Sequence, residues 1–201
     1  MIDVLSVPHQ VTRLVFDTGQ PYEKFRSRYE AAVPPVDPRP PGDVAGRHAR
    51  WPDLAAHMGE PGQHGFVLYW RVVMTPLLAT AAERRPCTAY LMGCPTIAEK
   101  VCRRDPAVML CAPLRALIYI DPGGRTRFAA GQPGTVFAGF ADQAIAELGA
   151  GLGHQFAELL KALGVGTTEG LRTAGLAGHR SVDANPPQPV RLRPDAGPRS
   201  L

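Results

Sequence analysis

With 21 glycines and 21 prolines in 201 residues, the chain stays below the roughly 25–30% Gly and Pro that marks low-complexity sequences, so a folded core is expected. At 45% hydrophobic and 20% charged residues, the length suits one domain with appendages. Net charge is +4, but its 19 arginines and 3 lysines form no concentrated basic patch, which argues against nucleic-acid binding.

Met1 to Gln10 has neither a basic leader nor an apolar stretch of signal-peptide length, so no secretory signal is expected. Val11 to Asp17 alternates as a strand. After Pro21, the spacing of Tyr22, Phe25, Tyr29 and Val33 predicts an amphipathic helix. Seven prolines between Pro34 and Pro61 then mark residues 34–64 as an expanded loop, either a lid or disordered. Gly65 to Val73, aromatic and β-branched on both faces, predicts a central strand. Thr75 and Pro76 open a helix that should run to about Arg85. The most apolar stretch, Phe66 to Leu78, is cut by Arg71 and Pro76 and does not read as a membrane span. A cytoplasmic location without membrane partners is expected.

Cys87 to Met92 is the next predicted strand. Thr96 and Glu99 have capping-box spacing for a short helix to about Arg104, with Ile97 and Val101 inward. Leu114 to Ile120 and Arg125 to Ala130 form a hairpin around Asp121-Pro122-Gly123-Gly124. Pairing Ile120 with Arg125 would put Leu117, Tyr119, Thr126 and Phe128 on the core face. Ile118 and Ile120 would then lie beside two arginines as a partner surface. Asp142 caps a final helix with the stripe Ile145, Leu148, Leu152, Phe156, Leu159 and Leu163, ended by Gly164. Gly149, Gly151 and Gly153 interrupt it, reflecting a bend, a close backbone approach or drift in a helix held by packing. Residues 166–201, with five prolines from Pro186 to Pro198, no aromatic residue and no apolar period, read as a disordered tail.

The elements give an α+β expectation for residues 8–165: an antiparallel sheet with helices on one face, in the order strand, helix, strand, helix, strand, helix, hairpin, helix. Cys87, Cys94, Cys102 and Cys111 have no zinc-like spacing and are expected as reduced, mostly buried thiols. Cys94 stands out because it opens a helix, where backbone amides would favour a thiolate. The histidines make no ligand motif, although His48, His57 and His64 could converge from the long loop in a metal or haem carrier. Nucleotide-binding, hydrolase and metalloprotease motifs are absent, and no cofactor or metal is expected.

From Gly65 to Val165 the order of motifs resembles the family known as domain of unknown function 302. The resemblance is carried by Gly93-Cys94-Pro95, Asp105-Pro106, Ala112-Pro113-Leu114-Arg115, Gly131-Gln132-Pro133 and the helix after Asp142. Val11 to Val33 is similar to that family's first strand and helix. Cys94 stands where the family usually has Asn, and Gly131 where an acid is common, which separates this chain from any site built on those side chains. The resemblance implies a compact, often dimeric domain and brings no reaction. Two functional readings follow: a non-catalytic ligand-binding or interaction domain acting as a homodimer through the hairpin face, or a small-molecule enzyme. The enzyme's site would lie where the Gly93-Cys94-Pro95 turn meets Pro113 to Arg115. There Arg115 would hold an anion and Tyr119 would donate a hydrogen bond.

Overall fold

The computed structural model describes residues 5–36, 61–78, 85–166 and 190–191. In chain order these form β1 (Leu5–Ser6), β2 (Arg13–Asp17), α1 (Tyr22–Ala32), β3 (Val67–Val73), α2 (Thr75–Leu78) and β4 (Cys87–Gly93). Then come α3 (Pro95–Arg104), a 3-10 turn (Pro106–Leu110), β5 (Leu114–Ile120), β6 (Thr126–Gly131), α4 (Pro133–Phe137), α5 (Gln143–Ala162) and β7 (Val190–Arg191). Five strands make one antiparallel sheet in the order β2-β6-β5-β4-β3, and β1 pairs with β7 apart from it. The fold is α+β.

The strands β3 to β6 follow one another as a meander, while β2 pairs with β6 at the far edge. The chain therefore has to cross the sheet between β2 and β3, and α1 begins that crossing. Its Tyr22, Phe25 and Tyr29, with Val33 just beyond, are all buried. Phe128 of β6 is the hub of the core: its ring lies 5.8 Å from Phe25, 5.4 Å from Tyr29 and 6.2 Å from Phe156 of α5. These tilted ring pairs add to area burial as edge-biased aromatic packing does. Buried tyrosine hydroxyls find partners here, Tyr90 donating to Glu30 at 2.9 Å and Tyr22 sharing a 2.6 Å bond with Thr88.

β3 is an edge strand, not the expected central one. Its edge is partly covered because Pro35 bridges Leu68, with Leu68 N–H donating to Pro34 O at 2.8 Å. Apolar side chains on both its faces have another cause, met in the cavity below. The helix expected to run to Arg85 is described over Thr75–Leu78, and its continuation at 79–84 lies outside the described residues. So do most of the 34–64 loop, including His48 and His57, and all of the tail except Gly166 and Val190–Arg191.

The hairpin register differs from expectation by one residue. Asp121 N–H donates to Arg125 O at 2.9 Å and Gly124, at φ 78°, donates to Asp121 O at 2.9 Å. Pro122-Gly123-Gly124 is thus a three-residue loop with glycine in its left-handed position, and Ile120 pairs with Thr126. Because side chains alternate faces, this single step inverts β5: Ile118, opposite Phe128, is fully buried, while Leu117 and Tyr119 turn to the other face. The surface expected from Ile118 and Ile120 beside the arginines does not form. Asp121 organises the turn instead, accepting from Arg125 N–H at 3.0 Å and Arg127 Nε at 2.8 Å, while Arg127 also reaches Asp17 at 3.2 Å.

α5 matches its predicted cap and stripe. Asp142 accepts from Ala144 N–H at 2.8 Å and Gly164 follows the helix at φ 70°. At Gly149 the close neighbour is a side chain and not a backbone: a Cβ there would sit 2.8 Å from Phe137 Cβ on α4.

Candidate functional site

One end of the sheet opens into a cavity of about 620 Å³. It reaches from the core, at Leu114, Phe137 and Leu152, past the strand ends at Gly93 and Pro113, to the outer sheet face at Trp70 and Leu91. Each part of its wall has a local cause. In β3 the register shifts between Leu68, opposite Met92, and Trp70, opposite Leu91. This bulge places an extra residue, so Tyr69 and Trp70 both border the cavity although neighbours in a regular strand would part to opposite faces. The aromatic and β-branched composition of β3 thus reflects a cavity wall as well as a core face.

Gly93 ends β4 where space is tight: a Cβ would lie 3.1 Å from the Tyr69 ring and 3.5 Å from Pro113 Cβ. The chain then turns at Cys94, and Pro95 begins α3, with Ala98 N–H donating to Cys94 O at 2.9 Å. Cys94 is therefore the N-cap, two residues before the expected one. Thr96 lies inside the first turn, its hydroxyl 3.1 Å from Cys94 Sγ, and Glu99 pairs with Arg103 instead of reaching back to a cap. From α3, Ile97, Ala98, Glu99, Val101 and Cys102 face the cavity. After α3, Asp105 accepts from Ala107 N–H at 2.8 Å and starts the 3-10 turn, which returns the chain so that Met109 and Ala112 close the wall.

The wall is almost wholly apolar. Cys94 is 5% exposed, and burial pushes the Tyr69 phenol up to about 12, the adjacent Cys94 adding to the shift. Tyr69 is therefore a neutral hydrogen-bonding group near pH 7. All four cysteines are free thiols. Burial raises the Cys87 and Cys111 thiols, Arg115 partly offsetting the effect at Cys111.

Of the residues singled out in the sequence, Gly93, Cys94, Pro113 and Leu114 border the cavity, and Pro95 is buried at the first position of α3. Arg115 and Tyr119 do not join them. Arg115, opposite Leu91, is exposed on the outer face of β5, and Tyr119 stands at the other end of that strand opposite Cys87. Tyr69, Trp70, Met109 and Leu152 do not stand out in the sequence as site residues, because apolar residues from separate elements resemble core until they are found around an empty space, and Glu99 reads there only as a capping-box residue. The doublet Tyr69-Trp70, breaking strand alternation, was the one local signal.

The sequence profile described as Domain of unknown function DUF302 matches residues 61–163, half of the chain. The chain belongs to this family. The matched region contains every described residue that lines the cavity, whereas β2 and α1 precede it. Among solved structures, an uncharacterized conserved DUF302 protein from Bacillus stearothermophilus is similar, with a TM-score of 0.55 and 17% identity. The match covers 75% of this chain and 97% of that one and extends to the fold alone. No curated protein matches. For this DUF302 chain, no helix among the described residues is long and apolar enough to cross a membrane.

Proposed function

We propose that this DUF302 domain is a non-catalytic binding protein that holds a small apolar molecule in the cavity between α3 and the ends of β3, β4 and β5. The observation carrying this reading is the cavity itself, about 620 Å³ and walled by Trp70, Leu91, Ile97, Met109, Phe137 and Leu152. Its size falls within the roughly 300–1,000 Å³ typical of small-molecule sites, and mostly apolar walls are their usual lining. The few polar groups favour binding over chemistry, since Cys94 Sγ is engaged by Thr96 and Glu99 by Arg103. Nile red, a neutral environment-sensitive dye, tests this with the full chain. Saturable binding is expected, and Ala98→Phe, which puts a ring into the cavity, should abolish it while leaving the circular dichroism intact. Unchanged dye binding in that variant would overturn the assignment.

The outer face of the sheet supports self-association as a companion property. Val15, Leu117 and Ala129 share that face by register, and Val15 is exposed on it. Analytical ultracentrifugation at tens of micromolar should show a dimer that Leu117→Arg dissociates. A monomeric wild-type chain under those conditions would refute the dimer without touching the cavity.

A further inference from the structure

The polar groups on the cavity wall are one-sided in charge. Glu99 is the one charged residue among the described residues that line it, and no described Lys, Arg or His does. The Glu99 side chain is 18% exposed, while that of its partner Arg103 is 73% exposed. An exposed pair spaced i, i+4 on a helix is weak, so the arginine can leave for solvent while the carboxylate stays at the wall. Tyr69 and Trp70 add two aromatic rings, whose faces attract cations and repel anions. A carboxylate occupant would share the cavity with Glu99 and these two rings, with no cation among the described wall residues to receive it. Arg115, the cation across from Leu91, points to solvent outside that wall.

We propose that the cavity selects apolar molecules carrying one ammonium group, the hydrocarbon lying along Ile97, Met109, Phe137 and Leu152 and the charge meeting Glu99 and the rings of Tyr69 and Trp70. This rests on the binding role proposed above. An ammonium displaces Arg103 from Glu99 and forms a charge-assisted hydrogen bond in a less solvated place than the one it replaces. No covalent step is involved.

Three ten-carbon probes, decylammonium, 1-decanol and decanoate, separate charge from apolar binding near neutral pH and below their aggregation concentrations. Trp70 fluorescence in the full-length Trp51→Phe chain and the thermal midpoint follow binding. Decylammonium should bind more tightly than decanol by about tenfold, with decanoate weakest. Glu99→Gln should bring decylammonium down to the level of decanol, and Arg103→Gln should tighten it. The selection is refuted if decanoate matches or exceeds decylammonium, above all if Arg115→Gln then abolishes its binding. It is refuted equally if Glu99→Gln leaves the lead of decylammonium intact. Failure of all three probes would instead refute the binding role itself, an outcome distinct from binding without charge preference.

Discussion

Two glycines two positions apart on α5 should respond to the same substitution with opposite signs. In a helix interior, Gly→Ala is worth up to about 1 kcal/mol through backbone entropy alone. At Gly151, which is exposed with no atom within 4 Å of a Cβ, nothing opposes that gain. At buried Gly149 the added Cβ would lie 2.8 Å from Phe137 Cβ and 3.0 Å from its ring. The Cβ of Phe137 is fixed to the backbone of α4, so relief requires moving that helix and not a side-chain rotation. Overpacking of this kind costs about 1–3 kcal/mol, which equals or exceeds the propensity gain. Gly151→Ala should therefore stabilise by about 0.5–1 kcal/mol and Gly149→Ala destabilise by about 1 kcal/mol. For a domain of this size each kcal/mol moves the melting temperature by about 2–4 °C, so calorimetry or urea denaturation resolves the two. Equal stabilisation by both would mean that α4 does not press on α5 at Gly149.

The hairpin register predicts that Ile118→Ala costs about 2–5 kcal/mol and Leu117→Ala less than half as much, measured by urea denaturation; the reverse order would restore the other register. The Asp121 carboxyl is held down to about 2, first by the Arg125 backbone N–H and then by Arg127, so its support is present above the ordinary value of 3.8 and lost as pH falls towards 2. Asp121→Asn should flatten that part of the stability profile in acid denaturation at fixed salt, and an unchanged slope would contradict the turn geometry. A bound occupant should slow alkylation of Cys102, which lines the cavity, without slowing that of Cys87, which does not, as read by mass spectrometry of labelled peptides.

Much of the architecture was legible because periodicity and end signals are local. Tyr22, Phe25, Tyr29 and Val33 repeat at helical spacing and are buried together, and Asp142 and Gly164 mark the ends of α5 where capping chemistry puts them. Register was not legible to the same degree. A turn with a three-residue loop and one with a four-residue loop share the letters Asp-Pro-Gly-Gly, and only the hydrogen bonds of Asp121 distinguish them. Edge or centre was also undecidable for β3, because a strand bordering a cavity carries the same apolar side chains as one buried between neighbours.

The proline and glycine distribution and the helix and strand periods determined the α+β class, and the order of short motifs carries the resemblance to the family, since each depends on residues close in sequence. Tertiary structure alone decided which face of β5 enters the core, and that Arg115 and Tyr119 stand apart from Cys94. It also decided that Tyr69, Trp70, Glu99, Met109 and Leu152 surround one space. The physical reason is that a cavity is defined by what several elements leave unfilled, and no local pattern of residues encodes an absence of atoms.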